Sequence, residues 1–376
     1  MGGRPNADSA TYVLVAGGGT AGHVLPGLAV AAALVDRGHP ASTIHFVGSE
    51  RGLERTLVPD AGFDLTLLPG RGIQRRLTFE NVAAVWGLMR AVVKGIVLVR
   101  RSRPRVVLVL GGYASVACTV GAFIWRVPIV VMEQNARAGA ANKIAGRFAK
   151  ASAVSFVETD LPRIVVTGNP VRAEVLAINR STDRERARVS LGVGTDRTFI
   201  AVVTGSLGSR NVNESVLAAL PKWSTRTDLA IRHVIGSRDW DSVQVRLPQT
   251  DGLEYVAVRY EDGMETVLAA ADLLIGRAGG TTVAELAEVG VASVLVPLPQ
   301  APRDHQTANA AALVRAGAAV LIPDRELDGD RLISEVEPLL GSPDRLKRMG
   351  VAAHTLAQPH AADSVAQLVE RHARRD

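Results

Sequence analysis

The residues whose types and spacing point most directly to chemistry are Gly17-Gly18-Gly19-Thr20-Ala21-Gly22-His23, directly after the apolar run Tyr12-Val13-Leu14-Val15-Ala16. Glycines after a β-type run, followed by small helix-forming residues, are how a Rossmann-type unit turns backbone N–H groups toward a ligand. The spacing is not the dinucleotide G-x-G-x-x-G, and the loop ends in a titratable side chain. His23 is expected at or just inside a helix N-terminus, where the dipole disfavours imidazolium and keeps a neutral base available. That combination points to proton transfer as well as binding. A glycine turn capped by a histidine is the plainer alternative.

A second glycine loop, Gly205-Ser206-Leu207-Gly208-Ser209-Arg210, follows the apolar residues 198–204. Free N–H groups at a helix start, with the dipole's partial positive charge, suit a diphosphate. Gly279-Gly280-Thr281-Thr282-Val283-Ala284-Glu285 follows a third apolar run, and the Glu285 carboxylate is suited to accepting two ribose hydroxyls. A glutamate that only complements the helix dipole is the alternative there. Asp304-His305-Gln306-Thr307-Ala308-Asn309 supplies amides for sugar hydroxyls, and Glu133-Gln134-Asn135 ends the apolar run 129–132. In Gly168-Asn169-Pro170-Val171-Arg172 a guanidinium is offered to a phosphate or a base carbonyl. Asp239-Trp240-Asp241 has the form of a metal-binding D-x-D, but no further carboxylates cluster with it, so a solvated turn is expected. No His/Cys zinc spacing, G-x-S-x-G or Walker loop occurs. Neither a metal nor a cofactor is expected.

Positioning these loops falls to β-rich runs that alternate with Ala/Leu-rich helical runs. Strands are expected at residues 12–16, 43–47, 65–68, 105–110, 129–132, 153–155 and 164–166. A second series is expected at 199–203, 231–235, 253–257, 273–275, 292–296 and 319–321. Helices are expected after Pro26, near Gly52, over 81–101 and 114–125, and again near Asn213, Met264, Thr282 and Asp304. Such alternation implies α/β architecture with doubly wound parallel sheets, here in two Rossmann-like halves facing across a cleft. Residues 1–173 are expected to form the first domain, 174–350 the second, and 351–376 a helical segment that packs back on the first. The polar stretch 179–196 is expected within the connection between the halves.

With 376 residues, 47% apolar and 4% aromatic, the chain is sized for two soluble α/β domains. Cys118 stands alone, so no disulfide forms within the chain, and a buried filler in a reducing compartment is expected. The first eleven residues are polar, with no secretory signal visible. Residues 106–125 carry no charge, yet glycines, Ser115 and Thr119 divide them into a buried strand and a buried helix rather than a membrane span. Net charge is +6, and residues 60–150 hold 14 Lys/Arg against 4 Asp/Glu. A basic half implies an anionic partner, and the absence of an aromatic-interleaved basic strand argues against nucleic acid. Val82, Trp86, Met89 and Val93 share a helix face beside Arg90, Lys94 and Arg101. Such a face either packs in a core or docks on an anionic bilayer.

Taken in order, these motifs resemble the MurG family of bacterial N-acetylglucosaminyltransferases. The segments that carry the resemblance are GGGTAGHVLPGLAVA, the GGY of residues 111–113, MEQNARAGAANK, GNPVR, the glycine loop at 205–210, RAGGTTVAEL and the DHQ-ANA run. The resemblance implies the glycosyltransferase B fold, with UDP-GlcNAc held by the C-terminal domain and a lipid acceptor by the N-terminal one. By the same resemblance Thr20, Ala21 and Gly22 line the donor diphosphate and sugar, and His23 is the catalytic group. Asn135 is implied as a sugar contact, Arg172 and Ser206 as diphosphate or nucleotide contacts, and Glu261 as a uracil contact through its backbone. Gly280, Thr281, Thr282, Val283, Ala284 and Glu285 match the nucleotide loop, with Glu285 on the ribose, and His305 and Gln306 match the pair near the donor sugar. The chain departs from the family pattern at Ala21, Leu207, Thr281 and His305.

The resemblance further implies an inverting, metal-independent transfer of GlcNAc to the 4-hydroxyl of undecaprenyl-diphospho-MurNAc-pentapeptide. Its partners would be UDP-GlcNAc, the lipid-linked acceptor, the anionic cytoplasmic membrane leaflet and other cell-wall synthesis proteins, with no nucleic acid. The expected location is peripheral, on the cytoplasmic side of the cell membrane. Trp86, Met89, Arg90, Val93, Lys94, Phe123, Trp125 and Arg126 form the expected membrane contact. A transferase with another acceptor, a UDP-GlcNAc 2-epimerase and a nucleotide-binding module without activity are the competing readings.

Overall fold

The computed structural model describes residues 11–50, 52–69 and 80–375, with side chains in the helix that begins at Glu80 described from Met89 onward. The polar segment 1–10 and the side chains of Val82 and Trp86 lie outside the described residues. The chain separates into two compact units, Met1–Arg172 with Pro359–Asp376, and Ala173–Gln358.

The first unit holds a parallel sheet of β1 (Val13–Gly17), β2 (Ile44–Ser49), β3 (Asp64–Leu68), β4 (Val106–Gly111), β5 (Ile129–Glu133), β6 (Ala151–Val154) and β7 (Ile164–Val166), ordered β3-β2-β1-β4-β5-β6-β7. The second holds β8 (Thr198–Val203), β9 (Leu229–Val234), β10 (Glu254–Val258), β11 (Leu273–Gly276), β12 (Ala292–Leu295) and β13 (Ala319–Leu321), ordered β10-β9-β8-β11-β12-β13 and again parallel. All thirteen stand within about two residues of the stretches expected from the apolar runs. The central strands are buried at every position. A strand covered on both faces loses the apolar–polar alternation and reads as a continuous Val/Leu/Ile run. Val13, Val15, Leu108 and Val130 face one core, and Leu14, Val107, Val109 and Val131 face the other.

Three expectations need correction. The first helix runs Ala21–Asp36 and so begins before Pro26, which sits inside it. Pro26, the sixth residue of the helix, fits the helical φ but removes the hydrogen bond its N–H would make one turn back. The stretch 179–196 is not merely a connection, because it contains the helix Arg180–Leu191 packed in the second unit. Asn179 caps that helix by accepting from Ser181 N at 3.1 Å. Its polar character conceals what anchors it. Arg188 is buried, pairs with Asp272 at 2.5 Å, and donates to the carbonyls of Thr195 and Arg197. Finally, the C-terminal helical stretch is two helices. Pro343–His354 packs on the second unit, while Ala361–His372 inserts Val365, Ala366, Leu368 and Val369 into the first unit's core. Arg37 secures the latter through Asp363 at 2.8 Å and Glu370 at 2.6 Å. Pro359, just before it, cannot continue a helix arriving from the preceding residues.

Cys118 is fully buried in the first unit, and burial pushes its thiol up to about 12, so it is unreactive filler. Among the described residues no helix is long and apolar enough to cross a membrane.

Candidate active site

In the first unit the candidate residues gather at the carboxyl ends of β1, β4 and β5, where the strand order reverses. Ligands of doubly wound sheets bind at such a switch point. The loops after β1 and β4 touch backbone to backbone. A Cβ on Gly17 would stand 2.8 Å from the Gly111 carbonyl oxygen, and one on Gly112 would stand 2.8 Å from that of Gly18. Gly111 and Gly112 also take φ of 102° and 84°, which only glycine adopts readily.

Thr20 is the residue before the first helix, and its carbonyl accepts from His23 N at 3.1 Å and Val24 N at 3.2 Å. His23 is therefore in the first turn, as its place after the glycines suggested. Its Nδ1 lies 3.2 Å from Thr20 Oγ1, and its Nε2 lies 3.2 Å from where a Gly111 Cβ would stand. The same Cβ position is 3.4 Å from Asn142 Nδ2, so the imidazole and the Asn142 amide flank Gly111 together.

Behind them lies Glu133, 2% exposed. Its carboxylate accepts from Asn135 N and Asn135 Nδ2 at 3.0 Å, Gly139 N at 3.0 Å and Asn142 Nδ2 at 2.9 Å. Four donors on one carboxylate fix the loop that presents Asn135. A second buried carboxylate, Glu54, accepts from Gly19 N at 2.8 Å and Ser49 N at 2.6 Å. Sequence reasoning missed Glu54. The signal lay in Gly48 and Gly52 on either side of it, since a Cβ on either glycine would collide with its side chain. The amides of Gln134 and Asn169 are buried with neither polar atom hydrogen-bonded among the described residues. Both stand in motifs singled out in the sequence, without a role of their own there.

The second unit presents its candidates at the carboxyl ends of β8, β10, β11 and β12. Ser206 and Leu207 are exposed on the loop after β8, and Gly205 and Gly208 take φ of 86° and 97°. Ser209 precedes the helix Arg210–Trp223 without capping it, so no side chain competes for the N–H groups of its first turn. Instead its hydroxyl accepts from Arg277, whose guanidinium also pairs with Asp324 and donates to the Val296 carbonyl. The helix Gly280–Val289 likewise starts from an uncapped glycine, with Thr281, Thr282 and Glu285 half-buried and Val283 buried.

Two expectations shift in detail. Gln306 Oε1 accepts from Ala278 N at 3.2 Å and Leu298 N at 2.9 Å, which commits its oxygen to joining two loops. His305 donates to the Pro302 carbonyl through Nδ1 at 2.9 Å, and it follows Arg303 and Asp304, both at left-handed φ. Non-glycine residues are held so only by their surroundings. Glu261 uses both carboxylate oxygens on its own unit, Oε2 toward Arg232 at 2.5 Å and Oε1 toward Gly263 N at 3.2 Å. This occupation of the side chain fits a residue whose contribution comes through the backbone.

Asp239 is not a solvated turn residue. It is 4% exposed and is bonded to Asn213 Nδ2 at 3.1 Å and Arg238 Nε at 2.8 Å. Asn213 Oδ1 meets His233 Nε2 at 2.9 Å, and His233 Nδ1 meets the Tyr255 hydroxyl at 2.9 Å. Burial lowers the His233 pKa to about 3 and pushes the Tyr255 hydroxyl well above its usual range. The chain is a neutral relay that supports the loop after β8, because Asp239 lies directly beneath Gly208. Among the described residues no group of three or more His, Cys, Asp or Glu is placed to hold a metal ion.

The expected membrane contact lies wholly on the first unit. Met89, Val93, Phe123 and Trp125 are exposed, with exposed Arg90, Lys94 and Arg126 among them; Trp86 belongs to the same helix, but its side chain is outside the described residues. Phe123 tilts against Phe148 at 4.7 Å, and Arg100 lies 5.2 Å over the Trp125 ring. An apolar surface rimmed by cations suits a partner with an apolar body and anionic headgroups.

The family model of the glycosyltransferase family 28 N-terminal domain matches residues 13–154, and that of the C-terminal domain matches 199–368. A UDP-N-acetylglucosamine--N-acetylmuramyl-(pentapeptide) pyrophosphoryl-undecaprenol N-acetylglucosamine transferase from Moorella thermoacetica is 38% identical over 95% of this chain and 98% of its own. One of the same name from Acidothermus cellulolyticus is 39% identical over 96% and 97%. The crystal structure of Acinetobacter baumannii MurG, 28% identical, superposes with a TM-score of 0.75 over 96% of this chain and 99% of that one. A shared architecture with this structure and near-complete coverage by the sequence relatives settle the classification: the fold is of the glycosyltransferase B type, and the chain belongs to the MurG family of N-acetylglucosaminyltransferases.

Proposed function

We propose that this protein transfers GlcNAc from UDP-GlcNAc to the 4-hydroxyl of undecaprenyl-diphospho-MurNAc-pentapeptide, with inversion at the anomeric carbon and without a metal. The observation that carries the reading is a relative 38% identical over 98% of its length, named for that transfer. The geometry adds chemistry to it. The uncapped helix starts after β8 and β11 suit a diphosphate and a ribose, and they stabilise charge on the departing UDP as a metal ion otherwise would.

His23 is the base. In the tautomer that carries its proton on Nδ1, 3.2 Å from Thr20 Oγ1, Nε2 is the basic nitrogen. The acceptor's O–H proton passes to Nε2 as the oxygen bonds to the anomeric carbon and the bond to UDP breaks. Ser206, Arg172 and the segment from Gly280 to Glu285 hold the nucleotide and diphosphate; Asn135, His305 and Gln306 contact the sugar. The Met89/Val93/Phe123/Trp125 surface rests on the anionic cytoplasmic leaflet, where the acceptor's polyprenyl tail lies.

Incubation with UDP-GlcNAc and a short-chain lipid acceptor analogue tests the reading. UDP and a β-1,4-linked disaccharide are expected to form together and only when the acceptor is present. Turnover of UDP-GlcNAc without acceptor, or transfer confined to unrelated acceptors, would overturn it.

A further inference from the structure

Glu54 takes no part in the transfer chemistry itself, yet the chain is built around it. Its side chain is 1% exposed although it opens the short helix Glu54–Asp60. One oxygen accepts from Gly19 N at 2.8 Å; the other accepts from Ser49 N at 2.6 Å and Ser49 Oγ at 3.0 Å. The carboxylate thus ties the loop after β1 to the end of β2. Three glycines make the space for it. A Cβ on Gly18, Gly48 or Gly52 would come to 2.4, 2.3 or 1.9 Å from Glu54 side-chain atoms, closer than real Cβ atoms approach anything. Gly48 and Gly52 lie outside the left-handed region, so what they supply is room rather than conformational freedom.

The bond to Gly19 matters because the catalytic turn begins at the next residue. Gly19 takes φ of 95° and is joined to Thr20, from which the first helix starts. Thr20 in turn receives the backbone N–H of His23 and meets its Nδ1. Where Glu54 holds Gly19 therefore decides where the first turn begins and where the imidazole stands. We infer that Glu54 is a positioning residue for transfer: it sets the glycine loop and, through Thr20, the place of His23. This inference rests on the reading of His23 as the base.

Glu54→Gln keeps the shape but gives one of the two N–H groups an amide NH2 in place of an oxygen. It is expected to lower kcat by roughly 10²-fold, the size of loss that a displacement of about 1 Å at a reacting group can produce. The KM for UDP-GlcNAc should stay within about two-fold. Gly52→Ala, which crowds the carboxylate without changing charge, is expected to lower kcat in the same way. Combined with Glu54→Gln it should add little, since both act on one contact.

Hydrogen exchange of residues 17–24 supplies a readout that needs no turnover. In Glu54→Gln it should quicken about ten-fold there and remain unchanged in the second unit. The inference is overturned if exchange at 17–24 is unaltered. It is equally overturned if kcat per folded molecule is unaltered while only melting temperature falls, or if the loss lies wholly in donor KM. An inactive wild-type enzyme would sink the proposed transfer instead, and the exchange experiment would still decide what Glu54 does to the loop.

Discussion

The loops after β1 and β8 occupy the same place in two sheets of matching strand order, yet they are held by opposite means. Under the first, the buried Glu54 carboxylate grips the backbone N–H of Gly19, as Glu133 grips those of Asn135 and Gly139 in the loop after β5. Each N–H so used is withdrawn from any ligand, and the loop is made stiff. Under the second, Arg277 holds Ser209 by its hydroxyl, and Asp239, neutralised by Arg238, supports Gly208 from below. The N–H groups of the helix start remain directed to whatever the loop meets. One scaffold thus yields a loop held to aim a side chain and an N–H-lined loop that suits an anion. The difference comes from residues outside the glycine motifs.

If the first loop aims the base and the second holds the donor, variants should separate the two. The largest effect is expected for His23→Ala, a fall in kcat of roughly 10²–10⁴-fold with donor KM little changed, read from initial rates of UDP release. Near-normal turnover with the same pH dependence would remove His23 from the role of base.

The proposed membrane surface sharpens the contrast, since it too belongs to the first unit alone. Arg90→Glu with Lys94→Glu should weaken binding to anionic vesicles by about 2 kcal/mol, taking about 1 kcal/mol per basic residue, or some thirty-fold in co-sedimentation. Arg325→Glu, an exposed arginine of the second unit, should leave it unchanged. A loss from Arg325→Glu about half as large in free energy, in proportion to the charge reversed, would mean that net charge, and not that surface, drives binding.

The second unit should reveal its neutral relay through pH. His233 has a folded pKa of about 3, lowered by burial, against an ordinary value near 6.5. The unfolded chain gains the proton first, so the stability contribution is complete above about 6.5 and declines by about 1.4 kcal/mol per unit as pH falls toward 3. His45 and His372, also lowered by burial, contribute slopes of the same sign. His233→Gln should remove only its own share, flattening the fall of melting temperature between pH 6.5 and 5 for the second unit. An unchanged slope would mean that the relay is open to water.

The smallest effect tests the corrected polar helix. Asn179→Ala removes the acceptor of Ser181 N and should cost about 1 kcal/mol. No shift in thermal unfolding would show that Arg188 and Asp272 alone anchor the helix.

Much of the fold was legible because it depends on local pattern. Each central strand of a sheet covered on both faces is a short apolar run, and the loops after β1, β4 and β8 begin where such a run meets glycine. The same logic placed His23 in a first helical turn and brought the candidates for nucleotide and sugar to strand ends. The helix Arg180–Leu191 escaped because its anchor is a buried arginine, whose partner Asp272 lies 84 residues away. The division of the C-terminal stretch between two units escaped for a related reason. Both its helices are amphipathic, and periodicity says that a face is buried without saying against what.

By itself, then, the order of residues determined the thirteen strands, the two parallel sheets and the glycine-bounded loops that carry the candidate chemistry. Only the tertiary structure decided which polar side chains serve those loops from beneath. Glu54 reaches Gly19 across 35 residues and Asp239 reaches Asn213 across 26. Hydrogen bonds of that kind leave no periodic trace in a chain, because they depend on where strands end in space and on which glycines leave room for a carboxylate.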